Sequence, residues 1–306
     1  MNFDEAGLIA ILASIFGNKN PGVEVGIGDD GAVVVTTERT VITTDMAVEG
    51  THFNTNWSSA FEIGRKVAGA NLADVYAMGA TPSYLVVALA LTGQESIEWI
   101  TELAQGIAFE ASSCGAYVVG GDIARGNCKT ISITAIGDVG LPITRSGAQV
   151  GDRIYVSSLP GWSRAGLEII ERDLGTDISE YAISQFCAPT LDYETAVGFL
   201  KSGAHAMCDI SDALIIQGEQ LAQVSKVALL IDQQLIALHP EFKTLKELAD
   251  SLDIDVWQWI LAGGEDHVFL ATGKDLVGFC IGSVIQGEGL HGVEMKKAPE
   301  PWRHFH

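Results

Sequence analysis

Short apolar, β-branched runs alternate along the chain with longer stretches of helical spacing. In the first half the pattern predicts a helix over Gly7 to Gly17, strands at Ala32 to Thr37 and Thr40 to Thr44, and a helix from Ser59 through Met78. A strand at Tyr84 to Leu91, a helix over Ser96 to Ser113, and strands at Tyr117 to Val119 and Thr130 to Val139 complete it. Arg145 to Asp152 is dense in turn formers, and the domain boundary is placed there, giving domains 1–149 and 150–306. The second half predicts strands at Arg153 to Ser157, Ala204 to Asp209, Val227 to Ile231, His267 to Ala271 and Val277 to Val284. Its helices fall at Ser163 to Leu174, Tyr193 to Ser202, Leu214 to Ser225 and Thr244 to Ile260. Mixed order of this kind points to two α/β or α+β domains, and no internal repeat suggests a solenoid.

Composition narrows the function classes. With 47% apolar and 19% charged residues over 306 positions, the chain has the makings of ordinary folded cores. Lys and Arg number 18 against 39 Asp and Glu, a net charge of −21, so nucleic acid and anionic membrane surfaces are excluded as partners. Five scattered cysteines without a C-x-x-C indicate neither a disulfide framework nor a zinc site. The apolar run from Gly7 is entered through Asp4 and Glu5, where a secretory signal would be basic, and is too short to span a bilayer; a cytoplasmic location is expected.

Gly26-Ile27-Gly28-Asp29-Asp30-Gly31 spells G-x-G-x-x-G, yet a strand pattern follows it instead of a helix, and two carboxylates occupy the loop where a phosphate would need amides. No Walker A, H-E-x-x-H or G-x-S-x-G motif occurs. What recurs is Asp at the end of an apolar or Gly-rich run: Asp29 and Asp30, Asp45, Asp122, and Asp209 with Asp212. Asp74 sits among small apolar residues on a predicted helix, costly unless paired or coordinating. Carboxylates delivered from several strand ends to one place require cations, and hard oxygen donors select Mg²⁺ or Ca²⁺. Mg²⁺ fills its remaining positions with substrate phosphates, so an acidic protein can hold a nucleotide triphosphate. Singly, each Asp is as often a turn former or helix cap; Asp29 suits an Asx-turn, and Asp212 competes as cap of the helix from Leu214.

Together the motifs resemble the thiamine-monophosphate kinase family. They are GIGDDGAVV from Gly26, TTDMAVEGTHF from Thr43, KVAGANLADVYAMGATP from Lys66, GGD from Gly120, TRSGAQVGD from Thr144, DISDAL from Asp209, GGEDH from Gly263 and PWRHF from Pro301. The resemblance extends to the superfamily of aminoimidazole ribonucleotide synthetase, selenophosphate synthetase and HypE. It implies a two-domain PurM-like α/β (α+β) fold, with an N-terminal mixed sheet that forms a barrel across a homodimer and a C-terminal α/β domain. It implies ATP- and Mg²⁺-dependent phosphorylation of thiamine monophosphate to thiamine diphosphate. Because the acceptor phosphate oxygen is already anionic, direct in-line transfer is expected, with no general base and no catalytic side chain beyond the metal clamp. Asp30, Thr44, Asp45, Asp74, Asp122, Asp209 and Asp212 would hold Mg²⁺. Gly121, Asp122, Arg145 and Ser211 would touch ATP, and His52, Glu265 and Trp302 the thiamine phosphate. Two departures stand out: Ala213 where the family usually has Gly, expected to disfavour a positive φ, and His267 where it usually has Tyr. A selenophosphate synthetase would need a reactive Cys near its N-terminus and a HypE-like protein a terminal Cys; the first cysteine here is Cys114 and the chain ends in His306. The rival of another class is a non-catalytic nucleotide- or Ca²⁺-binding scaffold.

Overall fold

The computed structural model describes residues 5–17, 22–27, 31–174 and 179–295. The chain divides into two compact units, Met1–Tyr76 with Ala80–Leu141, and Ala77–Gly79 with Pro142–His306.

Unit one contains α1 (Glu5–Phe16), the short strands β1 (Val23–Val25) and β2 (Val33–Val34), β3 (Thr40–Val48), α2 (Ala60–Ala77), β4 (Thr81–Leu91), α3 (Ile97–Ser113), β5 (Tyr117–Arg125) and β6 (Thr130–Asp138). Helix α2 begins at a capping box. The Ser59 hydroxyl accepts the Glu62 N–H at 3.3 Å, and the Glu62 carboxylate accepts the Ser59 N–H at 2.8 Å. The main sheet has the order β3-β6-β4-β5, antiparallel except for β4 with β5. Its faces differ sharply. Ile131, Ile133 and Ala135 of β6 are buried on the α2 side, whereas on β3 Ile42 is 67% and Met46 60% exposed on the other.

Unit two contains β7 (Arg153–Val156), α4 (Trp162–Glu171), α5 (Ser179–Cys187), α6 (Tyr193–Lys201), β8 (Ala206–Ile210), α7 (Leu214–Ser225), β9 (Ala228–Ile231) and α8 (Gln233–Ile236). It ends with α9 (Phe242–Ser251), α10 (Val256–Ala262), β10 (Val268–Gly273), β11 (Phe279–Ile285) and β12 (Gly289–His291). The sheet order is β12-β9-β11-β7-β10-β8, antiparallel except for β12 with β9. Trp259, Leu270, Leu245, Leu221 and Ile281 meet in one apolar core between sheet and helices.

Several elements differ from the sequence expectation. The strand over Ala32 to Thr37 shrinks to two residues, and Thr244 to Ile260 is two helices. Asp253 adopts a φ of +56° there, and the Asp255 carboxylate accepts the Trp257 N–H at 3.4 Å, starting a new helix. Helices α5 and α8 were not expected. Strands β3 and β5 run on past the aspartates taken to end them, so Asp45 and Asp122 lie inside strands. Asp is a poor strand former, but Asp45 is paired opposite Ile133 and Asp122 opposite Ala88, and the ladder overrides local preference. Among the described residues, no helix is long and apolar enough to cross a membrane.

Candidate active site

In unit one, α2 lies against β3 and presents Asn71 and Asp74, one helical turn apart, to it. The Thr43 hydroxyl donates to Asp74 Oδ2 at 2.7 Å, and Asn71 Oδ1 accepts the Asp45 N–H at 3.0 Å. Asn71 is fully buried, its amide N–H donating to the Val67 carbonyl at 2.9 Å, so it clamps the strand to the helix. Strand alternation puts Thr43 and Asp45 on this helix side and Thr44 on the open face, where its hydroxyl donates to Ile133 O at 3.1 Å and accepts from Thr134 at 3.2 Å. Asp45 and Asp74 therefore share a face, and Thr44 does not belong to it.

Asp122 stands apart from them. It lies on β5, the opposite edge strand, three strand spacings or about 14 Å across the sheet from β3. Within one chain the sheet does not bring Asp122 to Asp45, contrary to the expectation of a single convergence. Gly121 has a packing reason to be glycine, since a Cβ there would sit 1.9 Å from the Val87 carbonyl oxygen of β4. At the end of β3, His52 Nδ1 accepts the Val48 N–H at 3.1 Å. A backbone N–H can only donate, so in the neutral ring the proton sits on Nε2, which becomes a donor.

In unit two the DISD and GGED segments are tied together. The Glu265 N–H donates to Ser211 O at 2.6 Å, and the His267 N–H to Ile210 O at 3.0 Å. His267 Nδ1 lies 3.0 Å from Asp209 Oδ2, and both side chains are buried. Gln217, on the first turns of α7, reaches back to this turn. Its Oε1 accepts the Ala213 N–H at 2.8 Å, and its Nε2 donates to Asp212 Oδ2 at 3.0 Å and Ser211 Oγ at 3.4 Å. Asp212 thus does not cap α7. Ala213 takes that place with φ −175°, extended backbone that any residue adopts, so its departure from the family Gly carries no strain. Arg145 sits exposed in a short 3₁₀ turn, Arg145–Gly147, with Nη1 donating to Gln220 Oε1 at 2.8 Å.

Next to Glu265, the buried Asp266 caps α4 from a distance in sequence. Its two carboxylate oxygens accept the Gly161 and Ser163 N–H groups, each at 2.8 Å. Burial pushes its carboxyl up to about 6 against the opposing pull of those amides. Asp266→Ala would orphan two buried donors, so a loss of about 2–4 kcal/mol of stability is expected by urea denaturation. An unchanged midpoint would contradict the capping role.

Asp30 and Trp302, with Asp29, lie outside the described residues. Among the described residues no group of three or more His, Cys, Asp or Glu could hold a metal ion. Sequence reasoning missed Asn71, Gln217 and the His267–Asp209 contact. For Asn71 a signal existed, since it precedes Asp74 by three residues on one helix face.

Residues 28–139 match the family model for the AIR synthase related protein, N-terminal domain. A thiamine-monophosphate kinase of Corynebacterium glutamicum is 37% identical over 295 residues, covering 91% of this chain and 88% of that protein. The chain belongs to the thiamine-monophosphate kinase family. A crystal structure of thiamine-monophosphate kinase from Stenotrophomonas maltophilia K279a superposes with a TM-score of 0.82 at 28% identity, covering 95% of this chain and 97% of the other. AaThiL complexed with AMPPCP and TMP gives a TM-score of 0.80 at 27% identity, over 98% and 97%.

Proposed function

We infer that this chain transfers a phosphoryl group from ATP to thiamine monophosphate, forming thiamine diphosphate. The observation that carries the reading is the match over 98% of the chain to a protein complexed with AMPPCP and TMP. The acceptor oxygen belongs to a phosphate that is already anionic, so direct in-line attack on the γ-phosphorus needs no general base. What it needs is alignment and relief of charge repulsion. Arg145 offers a planar fork to phosphate oxygens, and His52 an Nε2–H donor. Gly121 and Ser211 are assigned to the nucleotide, Glu265 and Trp302 to the thiamine phosphate.

The carboxylates assigned to a divalent ion, Asp30, Asp45, Asp74, Asp122, Asp209 and Asp212, offer only oxygen, and that donor set fits Mg²⁺; the Thr44 side chain, turned to the open face of β3, is left out of it. Bound Mg²⁺ would offset the negative charge on the phosphate oxygens. Because Mg²⁺ takes one or two carboxylates and keeps other positions for water or phosphate, small groups suit it. Asp45 with Asp74 is one such group, and the Asp209–Asp212 segment another. The exposed Ile42 and Met46 support a homodimer in which a second copy of the sheet covers this face. Such an acidic enzyme of cofactor synthesis belongs in the cytoplasm.

The test is purified protein with ATP, Mg²⁺ and thiamine monophosphate, the products resolved by chromatography. Thiamine diphosphate and ADP are expected in equal amounts, with no product from thiamine as acceptor and none in excess EDTA. ATP hydrolysis without thiamine diphosphate would contradict the reading.

A further inference from the structure

Helix α7 carries two glutamines, Gln217 and Gln220, whose spacing of three residues makes them neighbours on the helix surface. Each holds a charged group assigned to the nucleotide or its metal. Gln217 is buried, and its partners decide which way its amide points. The Ala213 N–H can only donate, so Oε1 faces it at 2.8 Å, and Nε2 turns to Asp212 Oδ2 at 3.0 Å and Ser211 Oγ at 3.4 Å. The Arg145 guanidinium likewise can only donate, so the atom 2.8 Å from its Nη1 is Gln220 Oε1.

The same helix fixes the backbone that carries Arg145. The hydroxyl of Ser225, its last residue, donates to Arg145 O at 2.8 Å and accepts the Ala148 N–H at 3.3 Å, bracketing the 3₁₀ turn. The Met207 N–H of β8 donates to Thr144 O at 3.3 Å just ahead of that turn. A Cβ at Gly147 would lie 1.7 Å from His205 O, so the turn rests directly on the backbone that enters β8 and leads to Asp209.

Both amides are neutral, and their neutrality has a chemical consequence. A carboxylate at 220 would grip Arg145 more strongly but offset the charge that phosphate oxygens need, and an ammonium at 217 would do the same to Asp212 for a dication. We propose that Gln217 and Gln220 are positioning residues of the nucleotide site. Through them α7 ties Ser211 and Asp212 to Arg145, presetting the guanidinium and the carboxylate without neutralising either. The proposal rests on the kinase reading above for the assignment of Arg145, Ser211 and Asp212.

The experiment compares wild type, Gln220→Glu, Gln220→Ala, Gln217→Met and Gln223→Glu by calorimetric Kd for AMPPCP with Mg²⁺, KM for ATP and for thiamine monophosphate, and ligand-free melting temperature. Gln220→Glu keeps an acceptor for Arg145, so its melting temperature should equal or exceed wild type while the AMPPCP Kd and ATP KM rise about ten- to a hundredfold. A merely structural glutamine would not separate binding from stability in this way. Gln220→Ala leaves the guanidinium to be ordered by the nucleotide and should weaken AMPPCP about three- to tenfold. In both Gln220 variants the thiamine monophosphate KM should stay within about twofold. Gln217→Met keeps the side-chain length without the amide and should weaken AMPPCP about tenfold. Gln223→Glu adds the same charge at an exposed position of α7 and should stay within about twofold of wild type. An unchanged AMPPCP Kd in Gln220→Glu, or in folded Gln217→Met, would overturn the proposal, as would equal weakening by Gln223→Glu. Wild type that binds AMPPCP and weakens in Gln220→Glu, yet forms no thiamine diphosphate, would overturn the kinase reading alone. Thiamine diphosphate formed by every variant at the wild-type ATP KM would overturn the positioning roles alone.

Discussion

Asp74→Asn is expected to lower kcat for thiamine diphosphate formation by at least about a hundredfold, the scale of removing one preorganised group from transition-state charge. The fold should survive. Asn keeps a carbonyl oxygen that can accept the Thr43 hydroxyl, now at 2.7 Å from Asp74 Oδ2, so the α2–β3 contact persists without the charge. The lost charge is what matters, because a neutral amide is a poorer ligand for a hard dication than a carboxylate. Melting within a few degrees of wild type, together with a higher Mg²⁺ requirement, is the signature to look for. Turnover near wild type in saturating Mg²⁺ would remove Asp74 from the metal clamp.

Gly264→Ala should be nearly as damaging for a steric reason. A Cβ at 264 would lie 2.4 Å from Asp212 O and 2.7 Å from Ser211 O, and neither backbone atom can swing aside. The GGED turn must lift from the DISD turn, breaking the 2.6 Å bond from Glu265 N–H to Ser211 O. Overpacking of this kind costs roughly 1–3 kcal/mol, and a shift of about 1 Å at a reacting centre costs on the order of a hundredfold in rate. Both effects are expected, a lowered denaturation midpoint and a fall of about a hundredfold in kcat/KM for both substrates. Kinetics within threefold of wild type would show that the two turns act independently.

The alternation of apolar runs and helical spacing was legible for most elements because burial writes periodicity directly into sequence. The capping box at Ser59 and Glu62 is local and equally readable. Asp45 and Asp122 misled, since local propensity ended strands that the β6 and β4 ladders carry through. The split between α9 and α10 depends on one left-handed residue, Asp253, inside an otherwise continuous helical pattern. For the site, the motif order identified the acidic residues but not their supports. Gln217 and His267 reach their partners, Asp212 and Asp209, only after the chain folds back, and no spacing rule announces such contacts. The division of Asp45 and Asp122 between opposite edge strands is a property of sheet order, which the linear sequence does not contain.

The central claim is direct transfer of the γ-phosphoryl group of ATP to the phosphate of thiamine monophosphate. It is tested most directly by a single turnover with [γ-³²P]ATP, enzyme in excess, quenched in acid and resolved for nucleotide, thiamine phosphates, inorganic phosphate and protein. The account predicts that label passes from ATP into thiamine diphosphate with no labelled protein at any time. Label released as inorganic phosphate without thiamine diphosphate, or carried on the protein before it reaches the acceptor, would contradict it.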